Sequence, residues 1–177
     1  MAANEIFTFP NPVNEVSARV VAGGVVLMAT TALASRRRWL IAPLAYGFVA
    51  RALSGPTLSP LGQLATRVVT PRLPIPAKEV PGPPKRFAQT LGAFISVTAL
   101  ILAFPMKRPK AANTLVGMIA VFATLESSFG FCIGCQIFGV LMKIGVIPED
   151  VCAECAKIWS RPNFRAYAPT AMQPAAD

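Results

Sequence analysis

Long stretches of this chain carry almost no charge. Sixteen uncharged residues separate Arg19 from Arg36, and the twenty residues from 87 to 106 carry no charge between Lys85-Arg86 and Lys107-Arg108. From residue 111 to 142 the only charged side chain is Glu126. A helix needs about 17 to 25 predominantly apolar residues to cross the hydrocarbon core of a bilayer. These stretches therefore predict an all-α integral membrane protein.

The lengths of the stretches predict where the chain crosses. The second is the shortest, because WLIAPLAYGFVA has twelve residues and a crossing there must include Arg51. The last is too long for one span, since a helix of this length measures about 48 Å, so we predict a break near Gly130 and then a shorter helix. We expect about four transmembrane helices, with both termini on one side, over residues 13–35, 39–55, 87–106 and 113–130.

The connection between the second and third spans has two parts. Ser59 and Pro60 are typical of a helix start. The following apolar residues share one helical face, which predicts an amphipathic helix in the membrane interface: Leu61, Leu64, Ala65, Val68 and Val69. Six prolines from Pro71 to Pro84 then predict an extended tether, with a docking site for a proline-binding partner as the alternative. Residues 1–158 form one membrane domain in this interpretation, and residues 159–177 form a mobile tail.

Composition excludes several function classes. Apolar residues make up 54% of the chain and charged residues 14%, against about 25% charged in soluble domains. The chain has no histidine, which excludes a Ser-His-Asp triad, a His-ligated haem and a Cys₂His₂ zinc site. The net charge of +9 next to apolar spans favours contact with anionic lipid headgroups over nucleic-acid binding. The lipid bilayer is therefore the first predicted partner.

All four cysteines fall in the last third of the chain, as two CxxC pairs. Cys132 and Cys135 form the first pair, and sixteen residues separate it from Cys152 and Cys155. This spacing fits a four-thiolate zinc site and also fits two redox-active dithiols. Structural disulfides or inert thiols are a third interpretation. We treat residues 130–158 as one four-cysteine module that includes a short C-terminal helix.

The surroundings of the two pairs separate dithiol chemistry from zinc only in part, since Gly130 and Gly134 allow a tight turn at the first pair where two thiolates could converge on a metal. The second pair lies in the first turns of a predicted helix, where the dipole favours a thiolate although nearby acidic residues oppose it. This segment is more polar than the first pair, so we expect Cys152 and Cys155 to be easier to reach. Four thiolates around Zn²⁺ would leave a net charge of −2, with only Lys143 and Lys157 near in sequence to balance it.

Arg51 and Glu126 are lone charges within apolar stretches. Charges inside a membrane usually face the bundle interior and pair with one another. We therefore predict an intramembrane ion pair between Arg51 and Glu126. In the alternative, both side chains reach the headgroups without pairing.

The stretch from Glu126 to Cys135, ESSFGFCIGC, resembles the hallmark of a group of small bacterial membrane proteins, the family called domain of unknown function 4395. The resemblance covers roughly residues 10–158 and includes FVARALSGP from Phe48, VPGPPKRFA from Val80 and IPEDVCAEC from Ile147. It implies a multi-pass protein of the bacterial cytoplasmic membrane. Members of the family lie near genes for thioredoxin-like and sulfurtransferase-like proteins, which the resemblance makes candidate partners.

These features together predict thiol–disulfide exchange or sulfur relay by the two CxxC pairs with a soluble thioredoxin-like or sulfurtransferase-like partner. The alternative is a non-enzymatic membrane scaffold or accessory subunit whose four cysteines form a structural zinc site. No other cofactor is predicted. A transporter with Arg51 and Glu126 in its path is the weakest hypothesis, because four short spans leave little room for a gated cavity.

Overall fold

The computed structural model describes residues 9–76 and 78–152, and this part of the chain is α-helical apart from one small ladder. In the ladder, β1 (Val13–Asn14) pairs antiparallel with β2 (Glu79–Val80). Shorter helical turns cover Arg38–Leu40, Leu64–Val69, Thr70–Arg72 and Glu149–Cys152. The six α-helices of the described residues are α1 (Glu15–Ser35), α2 (Ile41–Ser54), α3 (Pro60–Gln63), α4 (Gly82–Ala103), α5 (Pro109–Phe129) and α6 (Ile133–Lys143). The predicted tail over residues 159–177 lies outside the described residues.

Three helices are long and apolar enough to cross a bilayer. They are α1, α4 and α5, of 21, 22 and 21 residues, and helices of this length measure about 32 Å. Only 17% to 33% of their most apolar windows is buried inside the protein, which leaves the remaining apolar side chains to face lipid. These three helices, with the shorter apolar helix α6, indicate a multi-pass membrane protein.

The third predicted span begins earlier than expected. Helix α4 starts at Gly82, five residues before residue 87, and Pro83 and Pro84 occupy its first turn. Proline is tolerated there because the first N–H groups of a helix have no intrahelical acceptor. The extended tether is therefore shorter than predicted. Lys85, expected as a flanking charge outside the span, lies within the helix.

The break in the last apolar stretch is confirmed. Helix α5 ends at Phe129, and Gly130 has a φ of +67°, a conformation that glycine adopts without steric cost. Arg19 of α1 donates from Nε to the carbonyl of Ser127 at 3.1 Å and from Nη2 to that of Ser128 at 2.8 Å. Helix α6 follows with 11 residues, a length of about 17 Å that is too short to span a bilayer.

The predicted span over residues 39–55 is a short helix, α2, of 14 residues. It runs from one end of the bundle to the other. Ile41 at its start lines a small pocket with Asn113 of α5, while Arg51 near its end contacts Gln89, close to the beginning of α4. With the turn before it, α2 covers about 27 Å. Because α1 runs in the opposite direction, α2 returns the chain to the end where it began, and four crossings remain our prediction.

We expect reporters fused before Met1 and after Asp177 to lie on the same side of the membrane, because four traverses return the chain to its starting side. Paired fusions to alkaline phosphatase and to green fluorescent protein measure this. A fusion in the turn around Arg37, between α1 and α2, serves as the control and should report the opposite side. Termini on opposite sides would show that α2 does not cross.

The predicted interfacial helix is more irregular than expected. The helical segment from residue 60 to 72 is capped by Ser59, whose Oγ accepts a hydrogen bond from the backbone N–H of Gly62 at 3.2 Å. Ala65 is buried, whereas Leu64 and Val68 are exposed. The predicted apolar face is therefore divided between the bundle and the surroundings of the protein.

Candidate thiol site at one end of the bundle

The first CxxC pair lies at the N-terminus of α6. Cys132 is the N-cap residue and Cys135 is the third residue of the helix. Both are free thiols. Cys132 is 7% exposed, and Cys135 is half-buried. Two cysteines on one turn at a helix N-terminus are a common arrangement for dithiols that exchange with disulfides.

Close packing against α4 positions this turn. A Cβ atom added to Gly134 would lie 2.5 Å from Cβ and 2.6 Å from Cα of Ala88. Any side chain at position 134 would therefore push α6 away from α4. Farther along α6, the ring of Phe138 packs on that of Phe87, with 5.7 Å between ring centroids. These contacts set the CxxC turn against the beginning of α4, where Lys85 lies.

A buried ion pair lies beside the two thiols. The Lys85 Nζ is 2.6 Å from Oε1 of Glu126. Lys85 is 7% exposed, and the side chain of Glu126 is 16% exposed. Lys85 belongs to the first turns of α4 and Glu126 to the last turn of α5. The pair therefore joins two membrane helices at the level of the CxxC turn.

The two thiols have different acidities. The hydrogen bond that Cys135 donates to the sulfur of Cys132 lowers the pKa of Cys132. The positive charge of Lys85 also lowers this pKa, whereas burial and the negative charge of Glu126 raise it. The same hydrogen bond and burial raise the pKa of Cys135. These shifts favour Cys132 over Cys135 as the thiolate, which is the nucleophilic form.

Arg51 is 5% exposed and contacts neutral groups. Its Nε donates to Oε1 of Gln89 at 2.9 Å, and its Nη1 donates to Oγ of Ser59 at 3.1 Å. The direct partner of Glu126 is Lys85, not Arg51 as predicted, because the early start of α4 brings Lys85 into the bundle. Arg51 and Glu126 nevertheless line the same cavity.

Cys152 ends the helical turn Glu149–Cys152 and packs against the second half of α6. It is 6% exposed and belongs to an apolar cluster with Phe138 and Met142. It is disulfide-bonded. The expectation that Cys152 is easier to reach than the first pair is wrong, because its exposed fraction is no larger than the 7% of Cys132. Cys155 lies outside the described residues.

The predicted zinc site also extends beyond the described part of the chain. Within that part, no group of three or more His, Cys, Asp or Glu side chains is arranged to hold a metal ion. The four-cysteine zinc site, which needs Cys155 as its fourth ligand, therefore stays a prediction.

Sequence reasoning missed Lys85, Gln89 and Ser59 as members of the site. A signal for two of them was present. If a helix begins at Gly82, Lys85 and Gln89 are four residues apart and lie on one face. Ser59 was recognised only as a helix cap, and its hydrogen bond to Arg51 depends on how α2 and α3 are placed.

Comparison with known protein families identifies the family to which the chain belongs. A family model described as a domain of unknown function (DUF4395) matches residues 13–143. The search of curated proteins and the search of solved structures each find no match. The matched range contains Arg51, Lys85, Glu126 and the first CxxC pair, and it ends before the second pair. This protein therefore belongs to the family of domain of unknown function 4395.

Proposed function

We propose that this protein is a dithiol–disulfide exchange protein of the bacterial cytoplasmic membrane, in which Cys132 attacks and Cys135 resolves. The observation that carries this proposal is the pair of free thiols at the N-terminus of α6, next to the buried cation of Lys85. The proposed partner is a soluble thioredoxin-like protein.

The reaction proceeds by two successive thiol–disulfide exchanges. The Cys132 thiolate attacks one sulfur of the partner's disulfide, forms a mixed disulfide and releases the partner's other sulfur as a thiolate. Cys135 then transfers its proton to that thiolate, attacks the sulfur of Cys132 and releases the second sulfur of the partner. Two electrons pass to the partner, which is reduced, and a Cys132–Cys135 disulfide remains. The reverse sequence oxidises the partner.

The position of Cys152 supports a second carrier in the same chain. Cys135, Phe138 and Met142 are three and four residues apart along α6, so they lie on one face of this helix. Cys152 packs against Phe138 and Met142. A disulfide at Cys152 therefore packs on the face of α6 that carries Cys135, and exchange between the two pairs requires their sulfurs to come into direct contact.

Glutathione disulfide tests the assigned order of the two cysteines. In detergent, wild-type protein with free Cys132 and Cys135 and an intact disulfide at Cys152 should form the Cys132–Cys135 disulfide and release two glutathione molecules per protein. Cys135→Ser should instead retain one glutathione on Cys132, because the resolving thiol is absent. Cys132→Ser should react more slowly than Cys135→Ser, because burial still raises the pKa of the remaining Cys135 thiol and the thiolate is the nucleophilic form. Mass spectrometry of the intact protein and its peptides measures each state.

The two matched Cys→Ser variants also show how the proposal would fail. Equal glutathione adducts on both variants would mean that neither thiol is preferred as the nucleophile. An adduct retained only by Cys132→Ser would reverse the assignment. Wild-type protein that forms no Cys132–Cys135 disulfide would contradict dithiol exchange at this site.

A further inference from the structure

A cavity of about 70 Å³ lies between α1, α4 and α5 next to the CxxC turn. Its polar lining comes from Arg51, Gln89, Glu126 and Cys132, and apolar side chains form the rest of its wall. One water needs about 10 to 15 Å³ of such space, so the cavity has room for about five waters or one anion of three or four heavy atoms.

The buried charges around this cavity do not balance. Arg51 and Lys85 are buried cations, and in the described part of the chain Glu126 is the acidic side chain beside them. The carboxylate of Glu126 contacts Lys85 directly, whereas the hydrogen-bond acceptors of Arg51 are neutral. A buried charge is costly unless an opposite charge pairs with it. One positive charge therefore remains without a counter-charge whenever Cys132 is protonated or in a disulfide.

We propose that this cavity binds a small monovalent anion, of the size of a halide, hydrosulfide or thiocyanate ion, between the guanidinium of Arg51 and the sulfur of Cys132. The guanidinium supplies the positive charge, and the apolar wall and small volume exclude large hydrated ions. The inference rests on the proposed function only in using Cys132 as a thiolate.

Cys132 and Arg51 line the same cavity, so the negative charge of an anion bound there repels a thiolate on Cys132. A bound anion therefore disfavours the thiolate and slows its reactions. When Cys132 and Cys135 form a disulfide, the thiolate charge is lost and the anion binds more tightly. Because coupling between two sites is reciprocal, the anion also stabilises the oxidised form. The cavity thus links the redox state of the dithiol to the local concentration of a small anion.

The test compares thiocyanate, which the cavity can hold, with gluconate, which is too large, at equal ionic strength. Wild-type protein in detergent reacts with methyl methanethiosulfonate, a small uncharged thiol reagent, and mass spectrometry follows the loss of the free Cys132 thiol, because Cys135 converts the methylthio adduct into the Cys132–Cys135 disulfide. Thiocyanate should slow this rate about fivefold or more, which is the lower end of typical coupling between sites. Equal rates in the two salts would overturn the anion site.

Two variants and a second measurement make the result specific. Arg51→Gln should remove the effect of thiocyanate, whereas Arg86→Gln, which removes an exposed arginine near the start of α4, should keep it. The infrared C≡N band of thiocyanate should show a bound component that is stronger in oxidised than in reduced wild-type protein. This measurement needs no variant, so it tests the site even if Arg51→Gln does not fold. No bound component in oxidised protein would overturn the proposal. Both results are independent of the glutathione experiment, so the anion site and the exchange activity can fail separately.

Discussion

Replacing Glu126 with glutamine should lower the free energy of unfolding by about 3 to 5 kcal/mol, because removing one partner of a buried ion pair leaves the other charge without compensation. The substitution keeps the size of the side chain but removes the charge that lies 2.6 Å from Nζ of Lys85. Unfolding by increasing mole fractions of dodecyl sulfate in a mild detergent, followed by circular dichroism, measures the change. Glu15→Gln is the matched control, because it breaks the ion pair with Lys78, whose side chain is 56% exposed, and exposed pairs contribute about 0 to 1 kcal/mol.

A double-mutant cycle identifies the partner of Glu126. The combination of Lys85→Met with Glu126→Gln should recover part of the loss, since it removes both charges from the buried pair. The combination of Arg51→Gln with Glu126→Gln should show weaker coupling, because Arg51 donates its hydrogen bonds to Gln89 and Ser59. Stronger coupling of Glu126 to Arg51 than to Lys85 would favour the pair expected from the sequence over the pair in the structure.

The helices of this fold were predictable where hydrophobicity alone decides them. The uncharged stretches located α1, α4 and α5, and the length of the last stretch required the break that occurs at Gly130. The start of α4 was not predictable in the same way. Three prolines around Gly82 are compatible with an extended chain and with the first turn of a helix, and tertiary contacts decide between them. That choice moves Lys85 from the membrane surface into the bundle.

The candidate site was predictable in its chemistry but not in its electrostatics. The CxxC pattern identified Cys132 and Cys135 as thiols that share a turn, whatever the rest of the fold. The ion pair between Lys85 and Glu126 joins residues 41 positions apart, and its formation depends on how α4 packs against α5. In the same way, the close approach of Gly134 to Ala88 depends on how α6 packs against α4. Contacts of this kind depend on which helices are neighbours, and a single sequence does not state that.

Replacing Lys85 with methionine should slow alkylation of Cys132 by iodoacetamide at about pH 7. The positive charge of Lys85 helps to lower the pKa of Cys132, so its removal raises that pKa and reduces the fraction of thiolate at about pH 7. The dependence of the alkylation rate on pH shows in which direction the pKa of Cys132 changes. In the wild-type protein the rate should level off at a lower pH than for an ordinary thiol, and in Lys85→Met the whole profile should move to higher pH.

The shape of that profile separates an electrostatic effect from a structural one. At a pH well above both pKa values, the wild-type protein and Lys85→Met should react at similar rates, since Cys132 is then fully ionised in each. Lys85→Arg should retain most of the reactivity at pH 7, because it keeps the charge. Lys143→Met, which removes an exposed cation at the far end of α6, should leave the profile unchanged. A rate that falls equally at every pH in Lys85→Met would mean that Lys85 controls access to Cys132 and not its ionisation.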